Sequence, residues 1–370
     1  MMSVKTKKLL VFFGHPAQYL FFKETIRVLQ QRGNKVKIII KTKDVLEHLV
    51  KSDGFEYTNI LKNKRGDSKF SIIISLLRRN IKLIPIIIKF KPDLMISTDA
   101  TIAQLGKLFR VPRITITEDD YKVIKPLADL SYPLTNYILC PTVCDVGRYQ
   151  QKKIGYNGYM KLAYLHPSIF EFNAKIFLKY KLPEKFALIR LAQLTAYHDK
   201  GINGISTAVL DEIIKKLKFK NISPIISSEY DLDEKYKDFG LKIDPSDIHH
   251  VLHEASILIS DSQSMSVEAS ILGIPSLRYS SFTGKISVLE ELENKYLLTF
   301  GFQIGNEKEL ISKLYQILQT ENFKKQFEIK KNIMLNDKIN VTKFLIWFIE
   351  EFPFSPKIFL SNSKIQENFR

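Results

Sequence analysis

The stretch SDSQSMSVEASILGIPSLRYSSF, residues Ser260–Phe282, decides the fold. It follows a short apolar run, SILIS, that has the length and composition of a buried strand. A cluster of Ser260, Asp261, Ser262 and Ser264 comes next, then a helix-like run from about Gln263, a Gly-Ile-Pro, and a further apolar strand. Strand, helix and strand in close succession are a parallel β-α-β unit. In such a unit the helix starts at the carboxyl edge of the sheet, where ligands bind. Its unpaired N–H groups and partial positive charge suit a phosphate or diphosphate, and serine hydroxyls add donors. Glu268 stands four residues beyond Ser264, one turn along the same face. A carboxylate there can accept hydrogen bonds from two sugar hydroxyls. The plain alternative is a capped helix with an exposed glutamate.

The same alternation runs outward in both directions. On the N-terminal side, KKLLVFF, KVKIIIK, FEYTNI, DLMIS, RITIT and NYILC read as strands, with helical periodicity between them. Pro16 stands near the first turn of the first helix and Gly33 after its end. On the C-terminal side, KFALIRL, SPIIS, SILIS and IPSLRYS are strands. NYILC is expected to be the last strand of the first half, and residues 152–180 a connector. A chain of 370 residues suits two domains of roughly 150–200 residues. We therefore expect an α/β protein of two doubly wound, Rossmann-like domains, with parallel sheets facing a central cleft. The expected boundaries are 1–165, 166–340, and a terminal helix and tail over 341–370 that crosses back to the first domain.

Composition narrows the partners. Fifty-six Lys and Arg against 39 Asp and Glu leave a formal charge of +17, which favours polyanions: nucleotides, nucleic acid or an acidic membrane face. No nucleic-acid recognition motif is present, so nucleic acid is not expected. The two cysteines, Cys140 and Cys144, are too few for a disulfide scaffold, and no second pair completes a zinc site. Both are expected as reduced thiols in a cytoplasmic chain. The N-terminal run ends at Gly-His-Pro without a small-residue cleavage pattern, so no signal peptide is expected. SIIISLLRRNIKLIPIIIKF, residues 71–90, is interrupted by Arg78, Arg79, Lys82 and Pro85 and is a poor membrane span. Ser71, Ser75, Arg78, Lys82 and Lys89 fall on one helical face, giving an amphipathic helix with a basic stripe. It suits packing on a sheet or, alternatively, lying on an anionic membrane surface. In HHVLHEA the histidine spacing is not that of a zinc metalloprotease, and no metal is expected. GxGxxG, P-loop and nucleophile-elbow motifs are absent, which argues against dehydrogenases, kinases and serine hydrolases.

The Ser/Asp cluster, the helical Glu and the Gly-hydrophobic-Pro resemble the nucleotide-binding helix of GT-B glycosyltransferases and of non-hydrolysing UDP-sugar 2-epimerases. With GHPAQYLFFKETIRVLQQRG, GYNGYMKLAYLHP and IRLAQLTAYHD, the chain resembles the DUF354 family of the GT-B superfamily over most of residues 7–350. The resemblance implies that Ser262, Gln263 and Ser264 meet a diphosphate and that Glu268 holds a ribose. It also implies that Arg190 meets the diphosphate and that His198 reaches the same cleft. In the first domain it points to the loop carrying His15 as the source of a base. Asp99 and Glu118 resemble two acidic positions of the 2-epimerases. The chain departs from that pattern: Thr98 replaces a glycine, no histidine precedes Glu118, and a later glutamate has no counterpart in KPLADLSYPL. The implied activity is a metal-independent glycosyltransferase using a UDP-sugar, with no cofactor beyond that substrate. Its acceptor would be a glycan or a lipid-linked acceptor of bacterial surface polysaccharide or glycolipid synthesis. Alternatives are a UDP-sugar 2-epimerase and a non-catalytic nucleotide- or glycan-binding protein. The expected location is cytoplasmic, peripheral at the inner membrane.

Overall fold

The structure, a computed structural model, describes residues 6–62, 69–191 and 204–370, with side chains at 69–73 left aside. The described chain divides into two compact units, Met1–His166 with Lys338–Arg370, and Pro167–Asp337.

The first unit runs β1 (Lys8–Phe13), α1 (Pro16–Gln31), β2 (Lys35–Lys41), α2 (Leu46–Ser52), β3 (Tyr57–Leu61), α3 (Lys69–Phe90), β4 (Leu94–Ser97), α4 (Ala100–Leu108), β5 (Arg113–Ile116), α5 (Lys125–Ser131), β6 (Tyr137–Pro141), β7 (Lys153–Tyr156) and α6 (Leu162–Leu165). Its seven strands are all parallel, in the order β3-β2-β1-β4-β5-β6-β7. NYILC is thus not the last strand. KIGY, within the expected connector, forms β7 and pairs with β6. Its two glycine-flanked apolar residues are too short a signal to stand out, and pairing to β6 supplies what local pattern lacks.

Alternation along β1 sends side chains to both faces. Leu10 and Phe12 join Leu83 and Ile87 of α3 and Ile102 and Leu105 of α4 in one apolar cluster. Phe13 instead packs against Tyr19 and Phe22 of α1, with ring centroids 5.8 and 6.3 Å apart. Each fully buried Leu or Phe of this kind contributes about 2 kcal/mol relative to exposure.

The second unit carries α7 (Ile176–Tyr180), β8 (Phe186–Leu191), α8 (Thr207–Phe219), β9 (Ser223–Ser228), α9 (Ile248–Glu254), β10 (Ile257–Ser260), α10 (Gln263–Leu272), β11 (Ser276–Tyr279), α11 (Ser287–Asn294), β12 (Thr299–Phe302), α12 (Glu307–Gln319) and α13 (Phe323–Asp337). Its five strands are parallel in the order β12-β11-β10-β8-β9. Isoleucine- and leucine-rich faces of β8–β11 and of helices α8 and α12 make its core. The chain then returns to the first unit through α14 (Val341–Glu350) and α15 (Ser355–Ser361). There Thr342 donates to the Ala163 carbonyl at 2.8 Å and Arg32 pairs with Glu350 at 2.7 Å.

Helix α10 has both of its ends fixed by sequence. Ser262 is the N-cap, its hydroxyl accepting from the Met265 N–H. Gly273 ends the helix at φ 79°, and the Ile274 N–H returns to the Ala269 carbonyl at 2.8 Å. Only glycine adopts that left-handed turn cheaply. Gly273→Ala should therefore lower stability by about 1 kcal/mol in chemical denaturation, with no change in the far-UV circular dichroism of the folded chain.

Candidate functional site

In an open parallel sheet, the strand order reverses at one point and leaves a crevice at the carboxyl ends of the strands. In the second unit that point lies between β8 and β10. Arg190 of β8 pairs in register with Ser260 of β10. The Ser260 hydroxyl accepts from the Ser262 N–H at 2.8 Å, turning the chain into α10. Ser262, Gln263 and Ser264 are half-buried at the helix start. Gln263 is held firmly. Its amide donates to the Ser280 hydroxyl at 2.6 Å and its carbonyl accepts from Arg278 at 3.3 Å. Arg190 uses one arm on Ser227 at 2.9 Å and pairs through the other with Glu229. The loop bearing His198, residues 192–203, lies outside the described residues.

Glu268 is not the exposed carboxylate of a simple capped helix. It is buried, and its Oε1 lies 3.3 Å from His249 Nε2. His249 enters from α9, the helix of HHVLHEA, and sequence reasoning missed it. Its signal was a histidine in the helix just before the ligand-edge strand, a neighbour of α10 that only the packing reveals.

Arg278 was also missed. It is wholly buried in β11 and its Nη2 sits 3.6 Å from Glu293 Oε2, an ionic contact too long for a hydrogen bond. Among the described residues, its Nε and Nη2 and Glu293 Oε2 have no hydrogen-bond partner. Burial lowers the guanidinium pKa and raises that of Glu293. A Cβ at Gly301 would come within 2.4 Å of Nη2, so the strand beside it has no room for a side chain. Arg278 thus places a positive charge behind the Gln263 side chain at the start of α10.

In the first unit the reversal lies between β1 and β4. His15 follows β1, Asp99 follows β4 and Glu118 follows β5, so all three stand at carboxyl ends. His15 is the N-cap of α1, its Nδ1 accepting from the Ala17 N–H at 3.2 Å. That bond assigns the neutral ring's remaining proton to Nε2. Surrounding protein disfavours the charged imidazole and lowers it from its ordinary value to about 4. Lys43, Lys161 and Lys41 act in the same direction, and Asp44 opposes them. The residue nevertheless has an exposed surface, and water there offsets part of that penalty.

Asp99 caps α4 by accepting from the Thr101 N–H at 3.0 Å. It is buried beside Arg79, 3.4 Å away, and Lys41, 3.8 Å away. Burial raises its pKa, but Lys41, Arg79 and the Thr101 bonds outweigh burial and leave it lowered. Glu118 accepts from the Met160 N–H and pairs with Lys161, so TITEDDYK and GYNGYMKL meet through one carboxylate. Both cysteines are buried and free, and desolvation pushes the Cys140 thiol to about 12. A cavity of about 610 Å³ beside Pro183, Ser223 and Phe239 lies at the start of β9 and contains none of these residues.

A family profile described as "Protein of unknown function (DUF354)" matches residues 14–343. A comparison with curated proteins found no match. Among solved structures, the chain is similar to a UDP-GlcNAc 2-epimerase from Neisseria meningitidis bound to UDP-GlcNAc. Identity is 16%, TM-score 0.67, and coverage 92% of this chain and 99% of that one. It is also similar to the UDP-GlcNAc 2-epimerase of Methanocaldococcus jannaschii, at 14% identity, TM-score 0.62, and 88% and 99% coverage. A spinosyn rhamnosyltransferase, SpnG, complexed with spinosyn aglycone follows at 12% identity, TM-score 0.60, and 94% and 100% coverage. Together with the two parallel sheets, these likenesses establish a GT-B fold.

Asp99 offers a test of this electrostatic arrangement. Its folded pKa is depressed below the ordinary 3.8, so the folded state binds fewer protons than the unfolded one in that range. The stability it contributes is complete above about pH 4 and is lost as pH falls through the folded value. Asp99→Asn should cost about 3 kcal/mol at neutral pH by leaving Arg79 and Lys41 uncompensated. The gap from the natural chain should narrow on acidification below pH ~4 in urea titrations.

Proposed function

The chain belongs to the DUF354 family, and we propose that it is a nucleotide-sugar enzyme, specifically a glycosyltransferase with a UDP-sugar donor. The observation that carries this reading is the start of α10. An amide-rich helix tip capped by Ser262 stands at the strand-order reversal of its sheet, with Glu268 one turn behind it. The tip amides, Ser264 and Arg190 would bind the diphosphate. Glu268, held by His249, would accept the ribose hydroxyls. The fully buried Arg278 would add positive potential from behind Gln263.

In the transfer, an acceptor hydroxyl oxygen bonds to the anomeric carbon as the bond from that carbon to the diphosphate oxygen breaks. The departing diphosphate gains charge, which the helix amides and Arg190 would stabilise without a metal. The acceptor proton must pass to a base. His15 is the first candidate because it is neutral at physiological pH. Using its Nδ1 means giving up the Ala17 cap bond, at a cost of about 1 kcal/mol. Asp99, kept ionised by Lys41 and Arg79, is a weak proton acceptor and better suited to orienting charge. Glu118 is committed to Lys161 and the Met160 amide. The acceptor would be a glycan or a lipid-linked acceptor in the making of a bacterial surface polysaccharide or glycolipid, with the enzyme cytoplasmic and peripheral at the membrane.

Epimerase chemistry at C2 is the second reading, favoured by Asp99 and Glu118 standing at one sheet edge. The two differ in their need for an acceptor. Incubation with UDP-N-acetylglucosamine alone should leave the sugar unchanged, and appearance of its 2-epimer by NMR would overturn the transferase assignment. In thermal-shift assays, UDP should raise the melting temperature by mass action. Glu268→Gln should weaken that binding about tenfold to a hundredfold, since a hydrogen bond to a charged group is worth roughly 1.5–3 kcal/mol. No shift with UDP-, GDP-, CMP- or dTDP-sugars would end the nucleotide reading altogether.

A further inference from the structure

The outer face of α3 does not match the simple basic stripe expected of it. Ser75 and Arg79 turn inward, where Arg79 bonds Ser75 at 2.9 Å and pairs with Asp99. The solvent side instead carries Leu77, Ile81 and Ile88, exposed by 55, 68 and 55%. Their four- and seven-residue spacing puts them on one stripe. Each is followed directly by a cation, Arg78, Lys82 and Lys89, so a basic band runs alongside the aliphatic one. Lys82 donates to the Ile60 carbonyl at 2.7 Å, leaving Arg78 and Lys89 as the outward charges of that band. No acidic residue occurs within α3.

The patch continues onto α4. Asn80 of α3 donates to Gln104 of α4 at 2.9 Å. One turn beyond Gln104, Leu108 is 68% exposed, with Lys107 and Arg110 beside it, both exposed. Four large aliphatics in water on two adjacent helices, edged by cations, are not explained by the core, which Leu83, Ile87, Ile102 and Leu105 already fill. Among the described residues no helix is long and apolar enough to cross a membrane.

We propose that the α3–α4 face of the first unit docks on an anionic lipid bilayer, its aliphatics entering the headgroup region and Arg78, Lys89, Lys107 and Arg110 meeting lipid phosphates. The pairing of exposed aliphatics with cations, and the lack of acidic residues in α3, selects a negatively charged apolar boundary over a neutral protein groove. Docking needs no turnover, so it stands or falls apart from the transferase reading.

Co-sedimentation of the full chain with vesicles tests this. Binding is expected to vesicles containing phosphatidylglycerol, to be weak on phosphatidylcholine alone, and to fall with added salt as the surface potential is screened. The triple variant Leu77→Ser, Ile81→Ser, Ile88→Ser and the double variant Arg78→Ser, Lys89→Ser should each lose about tenfold or more in partitioning. Both should keep their melting temperature, because these side chains lie outside the core and the nucleotide-binding machinery. Equal binding of the natural chain to both lipids, binding to neither, or unchanged binding of both variants would overturn the proposal. So would a change from dimer to monomer in the triple variant by sedimentation velocity, without a lipid effect, since the face would then join two copies of the chain.

Discussion

Parallel strands impose a direction on everything attached to them. A chain that leaves one strand and returns in parallel must cross over, and in this protein it does so mostly through helices. Many of those helices begin at the carboxyl edge of a sheet and aim their unpaired N–H groups there. The caps His15, Asp99 and Ser262 are consequences of this one constraint. They gather at the strand-order reversals because that is where adjacent crossovers part to opposite faces. The chemistry available to the molecule is thus largely decided before any particular side chain is considered.

Local pattern carried most of this far. Strong β-branched runs such as KVKIIIK and SILIS named their own strands, and the SDSQSMSVE segment announced a helix start with both its cap and its later glycine stop. What pattern could not carry was partnership. KIGY became a strand only because β6 offers it an edge. The face drawn from α3 failed at Ser75, which turns inward to Arg79, since a buried carboxylate at Asp99, twenty residues from Arg79 in sequence, draws that guanidinium inward. The same limit hid His249 and Arg278. Each looks ordinary in its own helix or strand, and acquires meaning only against Glu268 or Gln263. Residues 192–203, with His198, lie beyond what the structure describes.

Charge in the first unit is handled by saturation. Asp99 and Glu118 are acidic groups withdrawn from water, and each is met by a cation together with a backbone N–H. Such pairing keeps Asp99 a poor acceptor of protons and makes both carboxylates good at holding geometry. His15 differs: it is uncharged, open on one side and, among the described residues, held by a hydrogen bond at Nδ1 alone. The division between groups that hold shape and a group able to exchange a proton is therefore visible in what each one touches.

Glu118 also does something mechanical. It leaves the end of β5, yet it grips the Met160 amide and Lys161, which follow β7. The strand between them, β6, is spanned like a plank under a strap. Because β7 is the sheet's outermost strand, it has a further strand on one side only, and this carboxylate joins the Ile339 N–H, which donates to the Asn157 carbonyl at 3.0 Å, in turning that margin into a stiff shelf that rises and falls with its neighbours.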